Sequence, residues 1–330
     1  MTMDIKGKRI LITGGTGSFG SHFMNHLLND FEPEKVIVYS RDELKQYEQS
    51  MKFNDSRIHY VIGDVRDRNR LTTSMKDCDI VIHAAAMKQV VAAEHNPGEC
   101  ILTNVNGAEN VIEAAITNNV QRVIGLSTDK AVNPVNLYGA TKLCSDKLIV
   151  NANQRSSKTL FSVVRYGNVV GSRGSVVPFF KQLRASGVLP ITDPEMTRFW
   201  ITLYEAVRFV SRCIQMMKGA EVFVTRIPSM KILDLAKAIA PECEHKVIGI
   251  RPGEKMHEIM IPQDEARRTL KYGNFYAILP DDGKPLNSEL FVYENETGEP
   301  VSPDFSYTSD TNPDWVSVEE LERLIPTEPE

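Results

Sequence analysis

A tyrosine and a lysine at positions 138 and 142 have the spacing of a proton-transfer pair. The stretch Tyr138 to Lys142 has a helical pattern, and four residues of helix place both side chains on one face. A nearby ammonium favours phenolate over phenol, so Tyr138 could exchange a proton at neutral pH, although a free phenol has a pKa of about 10. Because YxxxK is common by chance, it predicts chemistry only beside a second motif.

A glycine-rich loop near the amino terminus is that second motif. Thr13 to Gly20 reads TGGTGSFG, directly after a short apolar run and before a helical pattern. Its glycines permit a tight turn, close approach of a pyrophosphate, and close packing of helix on strand. The N–H groups at the start of the helix favour phosphate. We interpret the string as a dinucleotide-binding loop, and Lys142 would then also reach the nicotinamide ribose.

The end of the second predicted strand bears on the choice between NADP and NAD. An NAD-binding chain offers a carboxylate to the ribose 2′-hydroxyl about 20 residues beyond the loop. Here the strand ends Ser40-Arg41, and a hydroxyl with a guanidinium suits a 2′-phosphate. Lys45 could assist, whereas Asp42 could still serve a 2′-hydroxyl. We therefore predict NADP, with NAD as the alternative.

The elements that must position these residues follow an alternating pattern. Short Val- and Ile-rich runs alternate with stretches long enough for crossover helices, which indicates a parallel sheet covered on both faces. Right-handed crossovers give a doubly wound α/β sheet of Rossmann type, with its site at the carboxyl ends of the strands. We predict a helix over Ser18–Leu28 and strands at Arg9–Ile12, Val36–Tyr39, Ile58–Ile62, Ile80–Ile82, Val123–Leu126 and Leu160–Arg165.

Beyond residue 166 the pattern changes and Gly and Pro become frequent. We predict an NADP-binding domain over residues 1–166, with segments near 200–228 packing back on it. Residues 167–330 would form a smaller α/β region that mainly binds the substrate. There we predict a helix over Leu203–Met217, a strand at Val222–Val224, a helix capped by Ser229 and running through Ile239, and loops with short strands from Pro280 to Asn312.

Composition excludes several classes of protein. The formal net charge of -5 and the lack of a basic run argue against nucleic-acid binding. No apolar run approaches the roughly 20 residues that span a bilayer, and Met1 to Lys8 has no apolar signal segment. The five scattered cysteines form no CxxC pair, so we expect free thiols and no metal site. We therefore expect a cytoplasmic protein.

These motifs together resemble the extended short-chain dehydrogenase/reductase family, which includes nucleotide-sugar epimerases and dehydratases. The fifth predicted strand ends Ser127-Thr128, followed by Asp129-Lys130. In the family a Ser or Thr at this strand end contacts the sugar hydroxyl, which implies that role for Thr128. Simple 4-epimerases lack an acid and base here, and retaining 4,6-dehydratases have Asp-Glu. The Asp-Lys dipeptide resembles the inverting UDP-N-acetylglucosamine 4,6-dehydratases of pseudaminic acid biosynthesis.

The resemblance to that subfamily covers nearly the whole chain and is weakest beyond Pro280. Capsule-type dehydratases replace the tyrosine of YxxxK with methionine, so Tyr138 favours the pseudaminic acid branch. Whether the product would serve flagellin glycosylation or a surface polysaccharide stays open. The resemblance also implies a homo-oligomer, with a hexamer as one form. Further matching segments are Ser40–Lys45, Val164–Ser175, Met196–Trp200 and Ile250–Lys255.

The resemblance implies a chemistry in which a C4 ketone makes the C5 hydrogen acidic. Tyr138 would take the C4 hydroxyl proton, with Thr128 orienting that hydroxyl, while hydride passes to NADP⁺. Lys130 would then remove the C5 proton and Asp129 would protonate the departing C6 hydroxyl. Return of the hydride to C6 regenerates the cofactor. A lysine is a base only when neutral, so we expect burial and neighbouring cations such as Lys142 to lower its pKa.

Binding residues follow from the same resemblance. Arg251 also suits phosphate oxygens on physical grounds, and Glu254 could accept hydrogen bonds from ribose hydroxyls. Arg173 and Lys181 are, with Arg198, further candidates for the diphosphate. The predicted contacts to UDP-N-acetylglucosamine are Lys88, Asn168, Val176, Thr192, Arg198, Arg251 and Glu254. The predicted contacts to the cofactor are Gly14, Thr16, Gly17, Ser18, Phe19, Gly20, Ser40, Arg41, Asp42, Glu43, Leu44, Lys45, Asp64, Val65, Ala84, Ala85, Asn104, Tyr138 and Lys142.

Two other functions remain open on the sequence. A UDP-sugar 4-epimerase needs the same glycine loop and tyrosine but no base at position 130. A non-catalytic NADP-sensing scaffold needs the glycine loop alone. The combination of Thr128, Tyr138 and Lys142 argues against the scaffold, whereas Asp129 and Lys130 argue against the epimerase.

Overall fold

The structure is a computed structural model that describes residues 3–172, 175–281, 283 and 285–325. Its strands, numbered along the chain, are β1 Arg9–Thr13, β2 Lys35–Ser40, β3 Ile58–Ile62, β4 Ile80–His83, β5 Arg122–Thr128, β6 Leu160–Tyr166, β7 Asn168–Val169, β8 Val188–Ile191, β9 Thr197–Ile201, β10 Val222–Thr225, β11 Ser229–Lys231, β12 Glu244–Val247, β13 Ile259–Ile261, β14 Thr269–Lys271, β15 Phe275–Ile278, β16 Val292–Tyr293, β17 Glu296–Thr297, β18 Glu299–Pro300 and β19 Tyr307–Thr308. Its α-helices are α1 Ser18–Asp30, α2 Glu43–Lys52, α3 Arg68–Ser74, α4 Val90–His95, α5 Pro97–Ile101, α6 Gly107–Thr117, α7 Leu137–Asn151, α8 Val176–Leu183, α9 Leu203–Met216, α10 Ile232–Ile239, α11 Gln263–Ala266 and α12 Val318–Leu324.

A ten-stranded sheet forms the centre of the molecule, in the order β18-β14-β15-β10-β6-β5-β4-β1-β2-β3. The strands from β10 to β3 in this order pair in parallel. The strands β15, β14 and β18 extend one edge in antiparallel pairing. The order reverses between β1 and β4, which is the switch point where ligands bind in such sheets. The predicted Rossmann-type α/β fold is confirmed.

Apolar strands and amphipathic helices explain why this sheet forms. Ile10, Leu11 and Ile12 of β1 are fully buried, as a strand covered on both faces requires. Helices α1 and α9 pack against each other, whereas α3, α6 and α7 form a second group. Each of the six predicted strands lies within an observed one, and the predicted helices starting at Ser18 and Leu203 are present.

A second, smaller core lies beyond β6. The sheet of β11, β9 and β7 packs with α8, α10 and α12 around side chains such as Trp200 and Leu235. The predicted helix cap at Ser229 is wrong, because Ser229 belongs to β11 and pairs with Phe199. Its hydroxyl oxygen accepts a hydrogen bond from Asn312 Nδ2 at 3.0 Å, and the helix begins at Ile232.

The region beyond residue 166 also contributes to the central sheet. Strands β10, β14, β15 and β18 all come from it, so the division of the chain at residue 166 stays a prediction. Within the described ranges, no helix is both long and apolar enough to cross a bilayer. The same residues contain no group of His, Cys, Asp or Glu side chains placed to hold a metal ion. All five cysteines are free thiols.

Candidate active site

A cavity of about 520 Å³ lies at the carboxyl ends of the parallel strands. The glycine loop after β1 forms one end, and the residues that follow β2, β3 and β4 form one wall. The end of β5 and the start of α7 close the opposite end. Of the predicted site residues, this cavity brings together Gly14, Thr16, Gly17, Ser18, Phe19, Gly20, Ser40, Arg41, Asp42, Lys45, Asp64, Val65, Ala84, Ala85, Lys88, Thr128, Lys130, Tyr138 and Lys142.

The glycine loop has the shape that a pyrophosphate requires. Gly14 has a φ of +67°, and a Cβ there would lie 2.9 Å from the backbone of Ala85. A Cβ on Gly20 would lie 2.5 Å from Cα of Gly15, so helix and loop touch through backbone alone. The N-cap of α1 is Gly17, which has no side chain to satisfy the first N–H groups of the helix. These donors and the helix dipole fit a phosphate.

The end of β2 presents a hydroxyl and two cations to the cavity. Thr16 Oγ1 lies 2.8 Å from Ser40 Oγ, which ties the glycine loop to this strand. The Arg41 side chain is 66% exposed, and its nearest carboxylate contact is Asp64 at 3.8 Å. Lys45 Nζ lies 2.7 Å from Asp42 Oδ2. Arg41 is therefore well placed to bind an added phosphate. The neighbouring Glu43 and Leu44 lie in the first turn of α2 and do not line the cavity.

Asn104 lies behind the cavity wall rather than on it. Its side chain is buried in the π-helical turn Leu102–Asn106. Oδ1 accepts a hydrogen bond from the Met87 N–H at 2.7 Å, and Nδ2 donates to the Met87 carbonyl and to Thr141 Oγ1, each at 3.0 Å. Asn104 therefore fixes the segment after β4 against α7, and the direct cofactor contact remains a prediction.

Helix α7 places Tyr138 and Lys142 as the sequence predicted, on one face at the closed end of the cavity. Lys142 is 4% exposed, and burial lowers its pKa while Asp146 partly opposes that shift. Burial raises the pKa of Tyr138 to about 12, although the charge of Lys130 and a hydrogen bond with Thr128 reduce the rise. The predicted net lowering is therefore wrong. The ammonium that favours the phenolate belongs to Lys130, not Lys142.

The Asp-Lys dipeptide forms an ion pair immediately after β5, in the 3-10 turn Asp129–Ala131. Asp129 is fully buried. Its Oδ1 accepts hydrogen bonds from Thr128 Oγ1 at 2.9 Å and from Lys130 Nζ at 3.0 Å. Burial raises the pKa of Asp129, and the Lys130 charge only partly offsets this. A raised pKa suits a carboxyl group that must donate a proton.

Lys130 differs from the sequence-based expectation. Its Nζ also lies 3.3 Å from Glu258 Oε1. Burial lowers the pKa of Lys130, but the charges of Asp129 and Glu258 outweigh it and hold that pKa above the ordinary value. The expected lowering of the Lys130 pKa is wrong, because the charge of Asp129 and then that of Glu258 outweigh burial, and no spacing in the sequence pairs Glu258 with Lys130.

Glu258 is the residue that sequence reasoning missed. It is 2% exposed and lies directly before β13. Besides Lys130, its carboxylate lies 3.7 Å from Lys255 Nζ and 3.8 Å from Arg198 Nε. Burial raises the pKa of Glu258, but these three cations together lower it below the ordinary value. Glu258 lies three residues beyond the matched segment Ile250–Lys255, and nothing in its spacing pointed to Lys130.

The predicted substrate residues fall into two groups. Lys88 lines the cavity, whereas Arg251 and Glu254 form a pair 3.5 Å apart in a turn outside its lining. This turn is joined to the start of α7, since Asn136, the N-cap residue of that helix, donates from Nδ2 to the Gly253 carbonyl at 2.8 Å. The remaining residues lie outside the cavity lining: Asn168 in β7, Val176 at the start of α8, Thr192 after β8, and Arg198 buried in β9. Lys181 lies in α8, and Arg173 is outside the described residues.

Comparison with known proteins defines the family. Residues 10–280 match the model of a family described as polysaccharide biosynthesis protein. The chain belongs to this family. The UDP-N-acetylglucosamine 4,6-dehydratase (inverting) of Campylobacter jejuni subsp. jejuni serotype O:23/36 (strain 81-176) is 57% identical, over 97% of this chain and 97% of that protein. The predicted resemblance to inverting dehydratases is confirmed, and with it the prediction of an enzyme of that class.

Two further proteins are similar to this chain over nearly their whole length. A UDP-glucose 4-epimerase of Rickettsia bellii (strain OSU 85-389) is 41% identical over 96% of this chain and 95% of that protein. The X-ray structure of Pen from Bacillus thuringiensis matches with a TM-score of 0.88 and 37% identity, covering 98% of both chains. Full-length relatives therefore carry the names of two reactions, and the identity to the dehydratase is the higher.

Proposed function

We propose that the chain is an NADP-dependent UDP-N-acetylglucosamine 4,6-dehydratase that inverts C5. The ion pair of Asp129 and Lys130 beside Tyr138 carries this proposal, because elimination needs an acid and a base at this position where a 4-epimerase needs neither. The identity of 57% to the Campylobacter enzyme supports the same reaction. The product would be UDP-2-acetamido-2,6-dideoxy-β-L-arabino-hex-4-ulose.

The first task of the site is to remove the C4 hydroxyl proton. Thr128 orients that hydroxyl, and Tyr138 accepts the proton. The Lys130 charge and the Thr128 hydrogen bond both favour the phenolate. A nicotinamide dinucleotide held by the glycine loop and Lys142 would supply a hydride acceptor for C4 and a hydride donor for C6, so the overall reaction would have no net redox change. Positioning of each proton-transfer group contributes roughly 10² to 10⁴ in rate.

The second task is elimination of water across C5 and C6. The C4 ketone makes the C5 hydrogen acidic, and Lys130 removes it. Asp129 gives its proton to the leaving C6 hydroxyl, which is consistent with the raised pKa of its carboxyl group. Protonation of C5 from the opposite face then inverts that centre.

The preference for NADP rests on the end of β2. Arg41 is exposed at the cavity edge, and Ser40 and Lys45 lie beside it. A guanidinium flanked by a hydroxyl and an ammonium suits a 2′-phosphate. Asp64, Val65, Ala84 and Ala85 line the wall along which the rest of the dinucleotide would lie.

The substrate proposal extends the site toward the Arg251 turn. Arg251 would bind the diphosphate and Glu254 the ribose hydroxyls, with Lys88, Asn168, Val176, Thr192 and Arg198 completing the predicted contacts. We further propose a cytoplasmic homo-oligomer, with a hexamer as one form. Its product would enter pseudaminic acid biosynthesis, for flagellin or surface polysaccharide.

One experiment separates this function from its rivals. The protein is incubated with UDP-N-acetylglucosamine and NADP⁺ in deuterated water and followed by NMR. Dehydration gives a 6-deoxy-4-keto sugar with deuterium at C5 and the inverted configuration. Formation of UDP-N-acetylgalactosamine instead would identify a 4-epimerase, and no turnover at all would favour the scaffold. Substituting NAD⁺ in a parallel reaction tests the cofactor.

A further inference from the structure

Lys130 lies between two buried carboxylates rather than beside one. Nζ is 3.0 Å from Asp129 Oδ1 and 3.3 Å from Glu258 Oε1. Asp129 and Lys130 are neighbours in the chain, but Glu258 comes from the carboxyl-terminal region. The contact therefore joins the two parts of the molecule at the atom that would remove the C5 proton.

Glu258 is held rigidly in this position. Its N–H donates to Ser309 Oγ at 2.9 Å, and its carbonyl accepts from the Ser309 N–H at 2.9 Å. Ser309 Oγ in turn lies 2.7 Å from Thr197 Oγ1, which also contacts His257 Nδ1 at 2.8 Å. Both backbone groups of Glu258 are therefore hydrogen-bonded, and its carboxylate points inward toward Lys130.

On the basis of the proposed dehydratase activity, we propose that Glu258 is a positioning residue. Its carboxylate holds the Lys130 ammonium against the Asp129 carboxylate. One proton can then pass from Lys130 to Asp129, which prepares the base and the acid for elimination. The Nζ–H bond breaks and an Oδ1–H bond forms. The ammonium and carboxylate become a neutral amine and a neutral carboxylic acid, with no change in total charge.

Elimination then restores the ion pair. The amine takes the C5 proton, the C5–H electron pair forms the C5–C6 double bond, and the C6–O bond breaks. The departing hydroxyl takes the Asp129 proton and leaves as water. Because Glu258 stabilises the ammonium that forms, it makes Lys130 a stronger base at this step.

The charges that face this cluster are few and come from several elements. Lys130 faces Asp129, Glu258, Arg198 and Tyr138. Glu258 faces Lys130, and also Arg198 of β9 and Lys255. Lys255 Nζ also donates to the Val132 carbonyl at 2.5 Å, beside the catalytic turn. Loss of the Glu258 charge leaves an excess of positive charge around Asp129 and Lys130. The pKa of each of these two groups should therefore fall.

The test compares Glu258→Gln with wild type in the rate of dehydration of UDP-N-acetylglucosamine across pH. The two apparent pKa values of a bell-shaped profile belong to the Asp129–Lys130 pair. We expect the whole bell to move to lower pH by about 1 to 3 units, and the maximum rate to fall about tenfold because Lys130 is a weaker base. Oxidation at C4, seen as reduced nicotinamide in a single turnover, should continue.

Glu265→Gln is the matched control, because Glu265 also forms an ion pair, with Arg165 at 2.9 Å, but contacts neither member of the catalytic pair. Its profile should stay at the wild-type position. If Glu258→Gln does not fold, Glu258→Asp serves as the second variant, because its shorter side chain moves the carboxylate away from Lys130. C5 deuterium exchange should then fall about tenfold with C4 oxidation retained.

Two results would overturn the inference alone. One is an unmoved pH profile in Glu258→Gln with wild-type C5 exchange. The other is an equal loss of cofactor binding, C4 oxidation and C5 exchange in both Glu258 variants, which is what a purely structural role gives. A wild-type protein that forms no 6-deoxy-4-keto product would instead overturn the proposed function, and this inference with it.

Discussion

Replacing Lys130 with alanine removes an ammonium that lies within 3.3 Å of both Asp129 and Glu258. A positioned general base contributes roughly 10² to 10⁴ in rate, which corresponds to about 3 to 5 kcal/mol in the barrier to C5 proton loss. We therefore expect Lys130→Ala to abolish measurable deuterium uptake at C5. Cofactor binding should survive, because the phosphate loop is at the other end of the cavity.

The same substitution has a cost in stability. Breaking a buried ion pair costs about 3 to 5 kcal/mol when a charge is left behind. The Lys130 side chain is 24% exposed toward the cavity, and Asp129 can take up a proton, so we expect the low end, about 3 kcal/mol. Urea unfolding with and without NADP⁺ measures it.

The assay is NMR of UDP-N-acetylglucosamine in deuterated water, with single-turnover absorbance of the reduced nicotinamide alongside. Lys147→Ala on the exposed side of α7 is the matched control, and it should behave as wild type. Deuterium uptake at C5 at the wild-type rate in Lys130→Ala would refute the role of Lys130 as the base. Because the Lys130 charge also favours the Tyr138 phenolate, C4 oxidation should slow as well, and a loss as large as that of C5 exchange would show that the lysine acts mainly before elimination.

Three further changes test other parts of the site. Arg41→Ala should weaken NADP⁺ binding roughly 10- to 100-fold and leave NAD⁺ unchanged; titration fluorescence measures both, and an equal loss for both would refute the 2′-phosphate assignment. Gly20→Ala should abolish cofactor binding, because its Cβ would meet Gly15 Cα at 2.5 Å; wild-type affinity by the same titration would contradict this. His83 is buried with a pKa lowered to about 3 from 6.5, so only the unfolded chain gains a proton as pH falls below about 6.5. Between neutral pH and pH 5, the free energy of unfolding of wild type should fall by about 2 kcal/mol more than that of His83→Gln, as measured by urea unfolding. An equal fall in both proteins would refute the burial of a neutral His83.

The fold was predictable because its signals are local. Runs such as Val36–Tyr39 are apolar over their whole length, which is typical of a strand buried on both faces. The glycine loop and YxxxK are also local, and both lie on the predicted elements. The cap assigned to Ser229 failed, because its pairing with Phe199 comes from β9, and a cap residue cannot be told from a strand residue without that partner.

The pKa shifts in the site were not predictable from the sequence, because they depend on contacts between residues that are far apart in the chain. Asp129 and Lys130 could be identified as a possible acid and base, since they are adjacent in the sequence. The charge of Asp129 raises the pKa of Lys130, and so does that of Glu258, which comes from the carboxyl-terminal region and reaches Lys130 only through tertiary structure. The YxxxK spacing likewise predicted that the Lys142 ammonium would favour the Tyr138 phenolate, but the ammonium that favours it belongs to Lys130.

An elimination site on this sheet also needs a residue from outside the amino-terminal elements. The glycine loop, Thr128, Tyr138 and Lys142 all lie on the amino-terminal elements, and together they suffice for oxidation at C4. Without Glu258, the Lys130 ammonium would be stabilised by Asp129 alone. No second carboxylate would then hold it near the sugar. Glu258 provides the second contact, and its backbone is linked to Thr197 of β9 through Ser309. In the proposed function, the carboxyl-terminal region would therefore do more than bind the nucleotide sugar, because it would also fix the geometry of the base.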